Sequence, residues 1–297
     1  MKTFRTTAAA LLLTVSIVSM SYAIAGIGFH WGFDFSLSMD DARNETVNIP
    51  GINLPSELSG LTDIPPLFKV SRENWDRSAI NFGGKAYIDF IPVIEALEIS
   101  CNFGLWQYDG SMAFLDITGS DPIENDWKYK EVKLGVDNVG LSYLSLKGTP
   151  YAKLQLDATV RKNIFKFPPA ANIIKLNAGG GVSAHFATPA LSSKLIEEVF
   201  AKKDFGVELA DLAATLADNP NNEISKAIVQ KIIDEALGKP VLGMHILLGT
   251  QIKIPFIPAG IYVDGKYMIP FTKFDSEAGS DFNGMGFLLN AGLSLSI

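Results

Sequence analysis

The chain has 297 residues, a formal net charge of -7 and 47% apolar residues. That acidity argues against a phosphate backbone as a partner, so no nucleic acid is expected. The single cysteine, Cys101, has no partner for an intrachain disulfide and lies far from the amino-terminal region where a lipid would be attached.

Lys2 and Arg5 precede an apolar run from Ala8 to Val18, and Ser21-Tyr22-Ala23 supplies the small-residue pattern that a signal peptidase cuts. Residues 1–23 therefore read as a secretory signal peptide and 24–297 as the exported chain. The run is too short for a spanning helix, and no second window of about 18 uninterrupted apolar residues follows it.

From there apolar and polar residues alternate. The period of two predicts strands over 26–38, 79–90, 97–107, 151–161, 174–186, 241–254, 259–269 and 287–297. In the first, Ile27, Phe29, Trp31, Phe33, Phe35 and Leu37 share one face. In the last, Phe287, Leu289, Ala291, Leu293, Leu295 and Ile297 do, opposite Asn290, Gly292, Ser294 and Ser296. None of the apolar faces carries a charged residue. The segments approach or exceed the length of about 9 to 11 tilted residues that crosses a bilayer. Lipid offers the backbone no hydrogen-bond partner, so such strands span only as a closed barrel.

Proline marks three short connections, at Pro92, at Pro168-Pro169 and at Pro255 with Pro258. It lacks a donor and ends a ladder, so these read as tight turns on the periplasmic side. The other connections are long and external. Tyr129 to Val136 and Val139 to Leu146 could add a hairpin around Asp137-Asn138, so the expectation is about eight to ten strands. Met39 to Ser78 reads as an apolar, proline-punctuated connection without regular periodicity. Residues 188–240 read as a helical insertion: Leu195 and Val199, then Phe205, Leu209, Leu212 and Leu216, follow helical spacing up to the break at Asp218-Asn219-Pro220. Ile224, Ile228, Ile232 and Ala236 follow it again up to Gly238-Lys239-Pro240.

The leader, the alternating strands, the short proline turns and the alternating final strand together resemble bacterial outer-membrane β-barrel proteins as a class. The resemblance covers nearly all of the exported chain. It implies an all-β fold, an antiparallel transmembrane barrel with a helical extracellular insertion, placed in the bacterial outer membrane. Outer-membrane lipid and the outer-membrane insertion machinery are the partners it implies. That machinery reads the terminal strand, which in the class usually ends on an aromatic residue and here ends on Ile297.

The opposite strand face is polar or small. It holds Asp34, Asp89, Glu98, Asp157 and Asp264 beside Lys85, Lys153, Arg161, Lys175 and Lys266, together with His30, His185 and His245. Balanced charge on that face predicts either a salt-bridged plug that fills a small barrel or the lining of a narrow channel with little charge selectivity. His185 and His245 flank the helical insertion and could approach as a metal or pH-sensing pair. No ligand spacing accompanies them, so neither a metal nor another cofactor is expected. Ser183, His185, His245 and Asp204 show no spacing that fixes a catalytic geometry, so no enzyme is expected. Gly179-Gly180-Gly181 sits in a strand, without the strand-to-helix setting of a phosphate loop, and reads as room for close packing or a bulge.

The amphipathic helices place Leu195, Val199, Leu209, Leu212, Ile228 and Ile232 as an apolar surface above the lumen. This favours passage or binding of small, hydrophobic molecules. The alternatives are a closed-lumen structural or adhesive surface protein and a soluble periplasmic lipid-binding β protein.

Overall fold

The structure is a computed structural model that describes residues 25–35, 45–47, 65–66, 68–76, 81–89, 96–116, 119–121, 124, 126–141, 146–168, 173–202, 219, 221–235, 240–255, 257–272 and 286–296. Its strands are β1 (Ala25–Asp34), β2 (Glu45–Val47), β3 (Phe68–Asp76), β4 (Asn81–Ile88), β5 (Ala96–Leu115), β6 (Tyr129–Lys133), β7 (Thr149–Phe167), β8 (Ile174–Ala187), β9 (Val241–Lys253), β10 (Ala259–Pro270) and β11 (Gly286–Ser296). Helices α1 (Ser193–Lys202) and α2 (Glu223–Asp234) lie between β8 and β9.

Eight strands close into an antiparallel barrel, in the order β5-β4-β1-β11-β10-β9-β8-β7 and back to β5. Gly26 pairs with Ser296, so the first and last barrel strands meet at one end. The strand ends Ile88 and Ala96, Phe167 and Ile174, and Lys253 and Ala259, which the three short connections join, lie at that same end. All eight segments whose alternation predicts barrel strands form the barrel wall. Leu37, Ile80 and Ile297 fall outside the described residues.

The pairing of β7 with β5 closes this wall, and alternation sorts its two faces. Phe29 at 64%, Trp31 at 67% and Leu248 at 64% exposure stand on the outer surface, while the residues between them turn inward and are buried. The alternation over 97–107 places Leu105 on the outward parity with Leu97 and Ile99, but it is buried instead. It sits where β5 leaves the barrel and both it and Trp106 are covered. Inside, small residues make room for large ones. Gly28 stands where a Cβ would come within 2.8 Å of the Tyr262 ring, and Gly249 where one would come within 2.2 Å of the Asp264 carboxylate. Gly179 and Gly181 lie against the β7 backbone, where a Cβ would come within 2.3 Å and 1.9 Å of carbonyl oxygens, which is the close-packing role.

Two expectations for the long connections change. The hairpin that would make ten barrel strands does not form: β6 covers only 129–133 and pairs with the outer part of β5, through Ser111 to Leu115, away from the wall. Val136 to Gly140 is a turn, and residues 142–145 lie outside the described part. The connection 39–78 is also more regular than expected, because Phe68 to Asp76 forms β3. Its Phe68, Val70 and Arg72 alternate inward, and it pairs with β5 from Phe114 to Gln107, with a bulge between Glu73 and Asp76. The cause in both cases is the same. β5 runs past the barrel rim and offers an edge on each side, which β3 and β6 take up.

The outer sheet and the helices share a core. Phe68, Val70, Met112, Phe114, Val132 and Leu134 from the sheet pack with Leu191, Leu195, Ile196, Val199, Ile228, Val229 and Ile232. Asn222 caps α2, its side chain accepting from Ser225 N at 2.8 Å. Lys231 on α2 bridges to Glu198 of α1 at 2.7 Å and to Glu235, and these acceptors hold its ammonium above the ordinary lysine range. The result is a folded sheet-and-helix cap on the end opposite the short turns.

Candidate functional site

The candidate site is the barrel interior. Its residues come from the inward parity of every barrel strand, and the wall turns them toward one another. Glu98 on β5 is fully buried and forms ion pairs with Arg161 Nη1 at 3.1 Å, Lys85 Nζ at 3.4 Å and Lys266 Nζ at 4.0 Å. Lys85 also bonds Asp264. Lys266 donates to Asp157 at 2.8 Å and to Ser100 at 2.6 Å, while Gln155 Nε2 donates to both Asp157 oxygens at 2.9 Å. Burying an ion in a low-dielectric interior is costly unless it is paired and its remaining valences are satisfied, and this network supplies that pairing.

Several of these contacts cross the lumen. β10 lies opposite β5 in the ring, so Lys266 to Ser100 spans the full width. β9 lies opposite β4, and Gln251 Nε2 reaches Tyr87 Oη at 3.4 Å and Ser294 Oγ at 3.0 Å near the short-turn end. His30 bonds Tyr262 Oη at 2.8 Å and Asn102 Oδ1 at 2.6 Å, and Asn290 Nδ2 donates to the same Asn102 oxygen at 2.9 Å. Toward the cap, Lys153 donates to Asp34 at 2.9 Å. Toward the short turns, Asp89 receives Arg161 at 3.4 Å and Lys175 at 3.6 Å. The five carboxylates Asp34, Asp89, Glu98, Asp157 and Asp264 thus meet the five cations Lys85, Lys153, Arg161, Lys175 and Lys266 in one set of cross-braces.

All three histidines are buried in the interior, but His185 and His245 are staggered: His185 faces Val241 and His245 faces Gly181. The His245 ring nitrogens instead bond Thr159 at 2.9 Å and Ser183 at 2.8 Å. Among the described residues no group of three or more His, Cys, Asp or Glu is placed to hold a metal ion. Ser183 and Asp157, the latter at 3.9 Å, approach the same nitrogen of His245, whereas a base that activates a serine must present one nitrogen to the hydroxyl and the other to the carboxylate. Asp204 lies outside the described residues.

Of the apolar cap candidates, Leu195, Val199, Ile228 and Ile232 are buried in the cap core, and Leu209 and Leu212 lie outside the described part. The surface these helices cover is the outer extension of β3, β5 and β6. The interior also holds groups that the charge pattern alone passed over: Tyr87, Ser100, Asn102, Gln155, Gln251, Lys253 and Tyr262. The same parity rule would have found them, since each stands an even number of residues from an inward charged residue or histidine on its own strand.

No protein family, curated protein or solved structure matches the chain.

Proposed function

We propose that the chain is an outer-membrane β-barrel whose lumen is closed, and that it serves to hold the folded cap at the outer surface. The observation that carries this reading is the division of side chains across the wall. Large apolar residues cover the exterior, interrupted by the exposed Lys162 toward the short-turn end of β7, while Lys85, Glu98, Asp157, Arg161, Asp264 and Lys266 are braced together inside. A water-soluble barrel would leave this apolar surface against water, a larger patch than soluble monomers normally expose. In a bilayer the same surface is solvated by lipid, and the closed ladder satisfies the backbone. The short-turn end then faces the periplasm and the cap faces outward. Outer-membrane lipid and the insertion machinery are the partners of this reading.

Passage of small molecules would require the braces at Lys266, His30 and Gln251 to part together. Leu195, Val199, Ile228 and Ile232, favoured for hydrophobic capture, are spent on the cap core. Planar-bilayer recording of the purified full chain tests the proposal directly. The expected result is insertion without steady single-channel conductance; regular conductance steps would restore the channel reading. Recovery of the processed chain in a soluble periplasmic fraction would remove the membrane reading altogether.

A further inference from the structure

On the solvent side of the cap, a cleft of about 340 Å³ opens between β3, the outer part of β5, β6 and the segments at 135–138 and 147–148. Four carboxylates line it, Glu73, Asp109, Glu131 and Asp137, together with two ammonium groups, Lys133 and Lys147. Among the described residues neither lysine forms an ion pair with any of these acids, and no side chain partners the Glu131 or Asp137 carboxylate. Elsewhere in the cap opposite charges do join, as Lys130 joins Asp116 at 3.6 Å and Lys231 joins Glu198 at 2.7 Å. Here both signs converge on one concavity and stay apart.

The walls are built to hold them there. Asn74 takes a left-handed backbone conformation, φ 51°, within the β3 bulge, and its Nδ2 donates to Asp109 at 2.8 Å. A bulge of this kind re-aims a side chain, here onto the cleft floor. On the other wall the chain needs glycine: a Cβ on Gly135 would come within 2.3 Å of the Lys147 carbonyl. That close approach lets Asp137 N donate to Lys147 O at 3.4 Å and sets an acid beside a base on one wall.

We propose that this cleft binds a small zwitterion of net positive charge: an amino acid, or the end of a short peptide, that carries a second cationic group. Its size falls at the lower end of the range of small-molecule sites, about 300 to 1,000 Å³, with a few convergent polar groups. The lining carries two more carboxylates than ammonium groups. A ligand with two cations and one carboxylate complements that balance, its carboxylate meeting the lysines and its cations the acids. The proposal concerns the cap alone and stands whether or not the barrel conducts.

The test is calorimetric titration of the full chain in detergent micelles with L-lysine, with cadaverine, which has both amines and no carboxylate, and with L-norleucine, which lacks the second amine. Saturable binding of L-lysine, at least tenfold tighter than either control, is expected. Lys147→Met should erase the preference for L-lysine over cadaverine, and Glu131→Gln should weaken both. Absence of saturable L-lysine binding would overturn the proposal. So would equal binding of L-lysine and cadaverine, which marks general attraction of cations to an acidic surface. The ligand series on the unaltered chain decides the matter even if a variant fails to fold.

Discussion

Lys266 on β10 and Asp157 on β7 face each other through the barrel interior, Nζ to Oδ2 at 2.8 Å, both almost wholly buried. The pair is the centre of the brace that also engages Glu98 and Ser100.

Removing one partner leaves the other charge buried without compensation, which costs about 3 to 5 kcal/mol. Lys266→Met and Asp157→Leu should therefore each lower the urea midpoint of the folded barrel. The double variant should recover much of the loss, since an apolar pair of similar size costs little. Urea titration followed by barrel migration on gels measures this. Simple additivity of the two losses would mean that the pair is not coupled.

Leu248→Arg on the outer face should impair insertion into liposomes, because an arginine on the lipid side at the midplane costs about 2 to 4 kcal/mol. Leu248→Phe should insert normally. Ser294→Arg, on the inward face, should also assemble poorly, for a different reason: Ser294 is buried and bonded to Gln251, and the filled interior has no room for the larger side chain. In detergent, where the outer surface is free to adjust, Leu248→Arg should fold better than Ser294→Arg. Equal defects in both media would contradict the division between outer and inner faces.

Cysteine placed at Asp137 in the cap should react with an impermeant maleimide added to intact cells, and cysteine placed at Pro258 in a short turn should react only after the envelope is opened. A Cys101→Ser background removes the native thiol. The reverse pattern would invert the orientation.

Ile228→Ala in the cap core should cost about 2 to 5 kcal/mol of local stability through the cavity it leaves. The barrel should still migrate as folded, because Ile228 packs in the cap core rather than in the barrel interior. Limited proteolysis should then show faster cutting in the cap. Loss of the folded barrel as well would mean that cap and wall form one cooperative unit.

Much of the wall was legible because its signal is local. Phe29, Trp31 and Phe33 alternate with Gly28, His30 and Gly32, and a strand with that pattern has one possible inner face. The outer module was harder. β3 has a mixed face, Lys69, Ser71 and Glu73, opposite Phe68, Val70 and Arg72, and lies next to proline-rich chain that carries no period. β6 is short, and its partner is β5, which lies before it in the chain beyond a loop. Neither strand reveals its place until β5 is known to continue past the rim.

The sequence alone determined the inward and outward parity of most of the wall, how many strands the barrel needs at least, and that acids and bases share the inner face, since all three follow from a period of two along each strand; the burial of Leu105 and the further inner cation Lys253 lay outside that reading. Tertiary structure decided how those inner charges are used. Whether Glu98, Lys266 and Asp157 line an open path or brace across it depends on the order in which eight strands close and on their register, which brings β10 opposite β5. It also decided the fate of the amphipathic helices. A hydrophobic stripe at Leu195, Val199, Ile228 and Ile232 demands a cover but does not name one, and the cover came from strands far away in the chain.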